Sequence, residues 1–364
     1  LFKGLLMLDK KSSLRLTIIR FPLIVGVVFI HASSSFVSVA NGTIGLSHVN
    51  VISEFVKNII SHGIARIAVP LFFVISGYLF FISIEWTGAV YFLKIKKRIK
   101  TLLIPFLFWN ILLVLVMIIA QSYSATQTFF AGKKILETYS FWDYCNAVLG
   151  INRSPISHQF WFIRDLMIVV IFTPVIYFMV RKLPILFFMV IFVFWFFNFH
   201  LFYLPSTEAI LFFSLGSYIA IKGKSLFDTD KYGLKFILIY FPLVLIDALT
   251  HGQSYNVYIH HMGILMGLLS ILYITGIIIK SQKAQKYLIF LGNASFFVFA
   301  THEPLLTIVK KAAYRSMNPE TTSIIMALYF ILPITVIILS TFSYVLFLKL
   351  APNFTGIITG GRQR

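Results

Sequence analysis

Charge is what this chain lacks most. Only 12% of its 364 residues are charged, against about a quarter in soluble domains. With 59% hydrophobic residues and a mean hydropathy of +0.90, a soluble globule is excluded. That also removes nucleic acid as the explanation of a net charge of +19. A single cysteine, Cys145, excludes an intramolecular disulfide. The short alternating segments of a transmembrane barrel are missing. So are a metal-ligand spacing and a glycine loop for phosphate. His260 and His261 are adjacent and diverge on a helix, so they make a poor metal pair. No internal repeat is evident, which argues against an inverted-repeat transporter.

What is present is a series of continuous apolar runs, each about 20 residues long, the length a helix needs to cross a bilayer. The fold class is therefore all-α: a polytopic transmembrane helix bundle of about ten spans, eight being the competing count. The expected spans are 17–39, 63–84, 101–121, 161–180, 184–203, 207–221, 234–250, 256–279, 287–309 and 323–349. Most of the 31 Lys and Arg residues then fall on one side. Basic loops face the cytoplasm, so both termini are expected there. The division is a cytoplasmic segment 1–16, a membrane domain 17–349 and a cytoplasmic tail 350–364. The longest outer loop, 122–160, carries Phe129, Phe130, Lys133, Lys134, Tyr139, Phe141, Trp142 and Tyr144, and is expected to pack on the bundle or lie in the interface. Leu1–Leu6 is an odd beginning, with Met7 the expected start, and no cleavable signal peptide is expected.

Ionisable groups within apolar segments mark candidate sites. Arg20 and His31 lie eleven residues apart. On a helix that separation is about 16 Å along the axis and about 20° beyond whole turns, so both leave one face. Arg20 alone could be a snorkelling anchor, and His31 alone a packing hydrogen bond. Together they fit the two ends of a pathway, with histidine suited to accept a proton near neutral pH. Arg66 opens the second span and Arg164 the fourth, each otherwise an interfacial anchor. Lys97, Arg98 and Lys100 form an inner basic stretch that suits anionic lipid or a phosphate-bearing ligand. Ser295 and His302 are seven residues apart and share nearly one face of the ninth span.

These pieces in this order resemble the acyltransferase 3 family of bacterial membrane acyltransferases. The resemblance rests on Arg20-x10-His31, on Phe72-Phe73-Val74-Ile75-Ser76-Gly77-Tyr78 and on Arg98 leading to Leu102-Leu103-Ile104-Pro105. Trp161-Phe162, Phe212-Phe213-Ser214-Leu215-Gly216 and Ser295-x6-His302 complete it. It implies a multi-pass protein of the bacterial inner (plasma) membrane. It implies transfer of an acyl group, acetyl first and succinyl as the variant, from cytosolic acyl-CoA to a hydroxyl of an outer carbohydrate or glycolipid. The expected partners are thus acyl-CoA (acetyl-CoA as donor substrate), the carbohydrate or glycolipid acceptor and the lipid bilayer, with no nucleic acid, no metal and no permanently bound cofactor. Arg20 and His31 are implicated in activity, with Arg20, Lys97, Arg98 and Lys100 on the donor's phosphates. Arg66, Arg164, Ser295 and His302 remain for the acceptor or an oxyanion. Thr101 stands where the family often has a second arginine, so Lys97 and Lys100 must compensate with point charges. Many relatives also carry an outer hydrolase-like domain, which is not expected here. The rival is an exporter of polysaccharide or lipid-linked sugar, with Arg20, Arg66, Arg164 and His302 as a polar path.

Overall fold

The structure is a computed structural model that describes residues 8–39, 42–82, 86–123, 126, 135–199 and 202–361. The expectations placed on Leu1–Leu6, Met7, Phe129, Phe130, Lys133 and Lys134 lie outside the described residues. The chain is helical nearly throughout. Among the described residues six helices are long and apolar enough to cross a membrane: Lys10–Ala32, Val51–Phe81, Gly88–Ser122, Asp228–Thr250, Asn256–Ile278 and Thr322–Leu350. A seventh span results if His158–Ile171 and Thr173–Lys182, bent by 66°, count as one. Pro184–Phe196 and Thr207–Ile221 are shorter apolar helices. Large apolar side chains such as Ile185, Leu238, Phe241 and Phe342 stand exposed on helix exteriors. Water does not tolerate such surfaces at this extent, whereas lipid does. The protein is a multi-pass membrane protein.

Local chemistry explains where the helices begin, break and end. Asp9 caps the first helix, accepting from the Ser12 amide at 2.5 Å, and that bond holds its carboxyl below the usual range. This helix runs from Lys10 to Ala32, not over 17–39. Ser33, Ser34 and Ser35 stop it: Ser33 Oγ donates to Ile30 O and Ser34 Oγ to Phe36 O, offering the backbone alternatives to helix. Phe36–Val39 then pairs antiparallel with Gly42–Gly45. Proline shapes the longer helices, because its ring cannot donate to the carbonyl four residues back. A 3-10 turn at Ala65–Ile67 precedes Pro70, and a wide i→i+5 segment at Ile99–Leu103 precedes Pro105.

The chain forms two compact units. Unit 1 comprises residues up to Gly26, Asn58–Ile99 and Asp165–Asn293. In it, Ala68–Phe81 lies along Thr207–Ile221, and Gly233–Thr250 along Asn256–Ile278. The first pair approaches closely because Gly77 and Gly216 carry no side chain. A Cβ on Gly77 would collide with Phe213 O, and one on Gly216 with Val74 O. One end of this unit is fixed by Arg15, read from sequence as a loop charge. It is instead 3% exposed. It donates to Asp230 at 2.5 and 3.0 Å, to Thr275 Oγ1 at 2.8 Å and to Leu272 O at 2.5 Å. Phe227 covers its guanidinium at 3.6 Å. Sequence position showed the cation but not the carboxylate, 215 residues away, that makes burial tolerable.

Unit 2 comprises Val27–Lys57, Lys100–Arg164 and residues from Ala294 on. Ile104–Ser122 packs on Phe141–Leu149 and on Pro352–Ile358, and Trp109 Nε1 donates to Ile358 O at 3.0 Å. Its centre is aromatic, with Phe106, Phe160, Phe296 and Phe299 in edge and tilted contacts. Phe141 and Trp142 are each 73% exposed at the start of their helix.

Candidate active site

Unit 2 gathers three histidines from distant parts of the chain. His31 closes the helix Arg20–Ala32, His158 opens the short turn His158–Phe160, and His302 lies inside the helix Gln282–Met317. The rings of His31 and His302 are 5.2 Å apart between centroids, and those of His31 and His158 are 6.2 Å apart. Among the described residues no group of His, Cys, Asp and Glu is placed to hold a metal ion. Imidazole rings this close can accept and pass on protons near neutral pH.

His302 is fully buried. Its Nδ1 lies 2.7 Å from Phe299 O. A carbonyl only accepts, so Nδ1 carries the proton and Nε2 presents its lone pair. That Nε2 is buried without a hydrogen-bond partner. A histidine held in one tautomer, with a buried lone pair beside a second histidine, can accept a hydrogen bond from a substrate hydroxyl or from that second ring.

The surroundings fix both rings. Pro304 deprives Ala300 O of its helical donor, and Gln159 Nε2 takes that carbonyl at 3.0 Å. This ties the turn bearing His158 to the helix bearing His302. Asn110, fully buried, accepts from the Ser157 amide at 3.1 Å and donates to Phe106 O at 2.8 Å. The end of the His31 helix is held by two lysines. Lys310 Nζ donates to Ser34 O at 2.6 Å, and Lys57 Nζ to Ser35 Oγ at 2.6 Å and to Glu54 at 3.1 Å. Both lysines are nearly buried, although the sequence placed them in outer loops. A cavity of about 380 Å³ in the same unit is lined by aromatic and aliphatic groups, with Ser157 and Thr301 next in chain to His158 and His302.

The other expected residues are distributed as follows. Arg164 donates to Gly150 O at 2.5 Å and to Arg153 O at 3.1 Å, so it organises the loop that Gly150 turns at φ 72°. Ser295 is buried about two helical turns from His302. Lys100 is exposed in unit 2. In unit 1, Lys97 is exposed, and the Arg98 guanidinium lies 6.0 Å from the Phe80 ring. Lys94, beside them, donates to Phe80 O. Arg20 is half-buried and makes no hydrogen bond among the described residues. Arg66 lies at the opposite end of unit 1 from Arg15, at the start of Ala68–Phe81. Sequence reading singled out His31 and His302 but missed the roles of His158, Gln159, Asn110, Lys57 and Lys310. The signal for Asn110 was there, as one amide in the apolar run Ile104–Ile119. For the lysines there was none.

Comparison with known proteins supplies the remaining finding. The profile of an acyltransferase domain matches residues 14–343. The succinoglycan biosynthesis protein ExoH of Rhizobium meliloti (strain 1021) is 23% identical over 374 residues, covering 98% of this chain and 94% of the relative. No solved structure matches.

Proposed function

The chain belongs to the acyltransferase 3 family, and from that premise we propose that it is a membrane O-acyltransferase esterifying a carbohydrate hydroxyl with an acyl group from acyl-CoA. Membership carries the enzyme class, an acyltransferase for groups other than aminoacyl. It also disfavours the exporter reading. The carbohydrate is supported by the relative, whose name places it in succinoglycan biosynthesis. Acetyl is the first donor group to test and succinyl the second.

The observation that carries the chemistry is the buried, partnerless Nε2 of His302 beside His31. In the proposed step the acceptor oxygen attacks the thioester carbonyl, and its proton passes to His31. The C–S bond breaks, the ester forms, and the CoA sulfur leaves and takes up the proton. His302, its tautomer set by Phe299 O, can hold a hydrogen bond to the attacking hydroxyl or to the His31 ring. Arg20, Lys97, Arg98 and Lys100 are proposed for the donor's phosphates, and the bacterial inner membrane with cytoplasmic termini and about ten spans as the setting. Of the weaker candidates, Arg164 also serves the loop beside His158, and Ser295 stays proposed for the acceptor side or an oxyanion.

The test is mass spectrometry of surface glycans from cells expressing the wild-type chain or His31→Gln. An ester on the glycan that disappears with the variant, while the protein still inserts, is the expected result. Esterification that survives the substitution removes His31 from the mechanism; no ester in either strain removes the acceptor assignment.

A further inference from the structure

The other end of unit 1 holds a polar cluster that the proton-transfer step does not use. Arg66 stands at the start of Ala68–Phe81 and Glu208 in the first turn of Thr207–Ile221. Asp247 lies near the end of Gly233–Thr250, and His260 near the start of Asn256–Ile278. These helix ends bring them together. The charge of Glu208 acts on Arg66, that of Asp247 on both Arg66 and His62, and that of His260 on Glu208.

Half of the cluster is internally satisfied. Asp247 accepts from His260 Nδ1 at 2.9 Å and from Asn256 Nδ2 at 2.9 Å. Asn256 also donates to Thr250 Oγ1 at 2.9 Å, and the His62 and His251 rings stack at 4.4 Å. The other half is not. The exposed Arg66 and half-buried Glu208 make no hydrogen bond, to each other or to anything else among the described residues. Independently, Tyr240, whose ring lies with the side chain of Ile67, the neighbour of Arg66, against Gly267, has a buried Oη with no partner. The buried phenol carries a desolvation cost that a bound ligand would offset, and the Arg66 and Glu208 side chains are open to the same ligand.

The chemistry of the open groups selects the ligand. A guanidinium only donates, a carboxylate only accepts, and a phenol does both. One arginine against three carboxylates, Glu208, Asp165 and Asp247, the last already paired with a histidine, gives no surplus positive charge for a phosphate. A neutral ligand with neighbouring hydroxyls, each both donor and acceptor, matches all three groups. The exposed rings of Tyr255 and Tyr258 at the same helix start offer apolar faces to a sugar ring. Resting on the carbohydrate-acceptor reading above, we infer that Arg66, Glu208 and Tyr240 form a subsite in unit 1 for a neutral sugar residue of the acceptor glycan, braced by the Asp247–His260–Asn256 network.

The experiment uses the full-length protein in lipid nanodiscs and saturation-transfer NMR with a panel of neutral glucose- and galactose-containing tetrasaccharides. Wild-type protein saturates at least one of them. Arg66→Gln and the isosteric Glu208→Gln each weaken that binding by about tenfold, the loss of one charge-assisted hydrogen bond. The remote Arg181→Gln leaves it unchanged. Glu208→Gln carries the test alone if Arg66→Gln does not fold. Binding indifferent to both substitutions overturns the subsite, as does no saturation by any sugar. So does sodium pyrophosphate displacing the sugar through Arg66, which would make this an anion site. Glycan esterification measured as above is a separate readout. If it persists while the NMR result is negative, the subsite fails and the acyltransfer reading stands; if it is absent, the acceptor reading fails on its own account.

Discussion

The bond from His302 Nδ1 to Phe299 O decides what the other nitrogen can do. With the proton fixed on one side of the ring, Nε2 is left as an acceptor, and it is buried without a protein partner among the described residues. His302→Gln keeps the volume but offers an amide in place of a basic lone pair. Initial rates with labelled acetyl-CoA should show kcat falling by about 100-fold or more, with the KM for donor unchanged. An unchanged kcat would make His302 a packing residue. Arg20 has the complementary property, a guanidinium with no hydrogen bond among the described residues. Arg20→Lys replaces a planar fork by a point charge, so the donor KM should rise by about tenfold while the acceptor KM holds. An acceptor KM that rises equally would place Arg20 outside donor binding.

At the scale of elements, the site depends on where helices stop or loosen. Pro304 opens one carbonyl in the helix of His302, and Gln159 closes it from another segment. Three serines end the helix of His31, and Lys57 and Lys310 hold the chain that leaves it. In unit 1 the close helix pair rests on Gly77 and Gly216, where neighbouring backbone occupies the space a side chain would need. Gly216→Leu has nowhere to put its side chain without separating the helices. It should lower stability by about 2 kcal/mol, read as the thermal midpoint in detergent relative to wild type. A midpoint equal to wild type would show that the pair is looser than its backbone distances indicate.

For the molecule as a whole, the orientation proposed from charge is testable with one residue. Cys145, the only cysteine of the sequence, lies in the helix Phe141–Leu149 and is partly accessible. With cytoplasmic termini its loop faces outward, so a membrane-impermeant maleimide should label Cys145 in intact spheroplasts. Labelling only after permeabilisation would invert the topology.

The sequence by itself determined that this is a helical membrane protein. That property is a sum over residues: apolar runs of spanning length and too little charge for water. It also marked Arg20, His31 and His302, because an ionisable group in an apolar run is conspicuous without any partner. What only the tertiary structure decided is who meets whom. His158 from a loop joins His31, and Gln159 answers a carbonyl that Pro304 released on another helix. Arg15, Lys57 and Lys310 look like loop charges by position, yet each is buried on carbonyl, hydroxyl or carboxylate oxygens, most of them distant in sequence. Periodicity and composition are local, and they report which face or phase a residue prefers. Tautomer, burial of a charge and the convergence of rings depend on partners supplied by packing, and no local pattern encodes them.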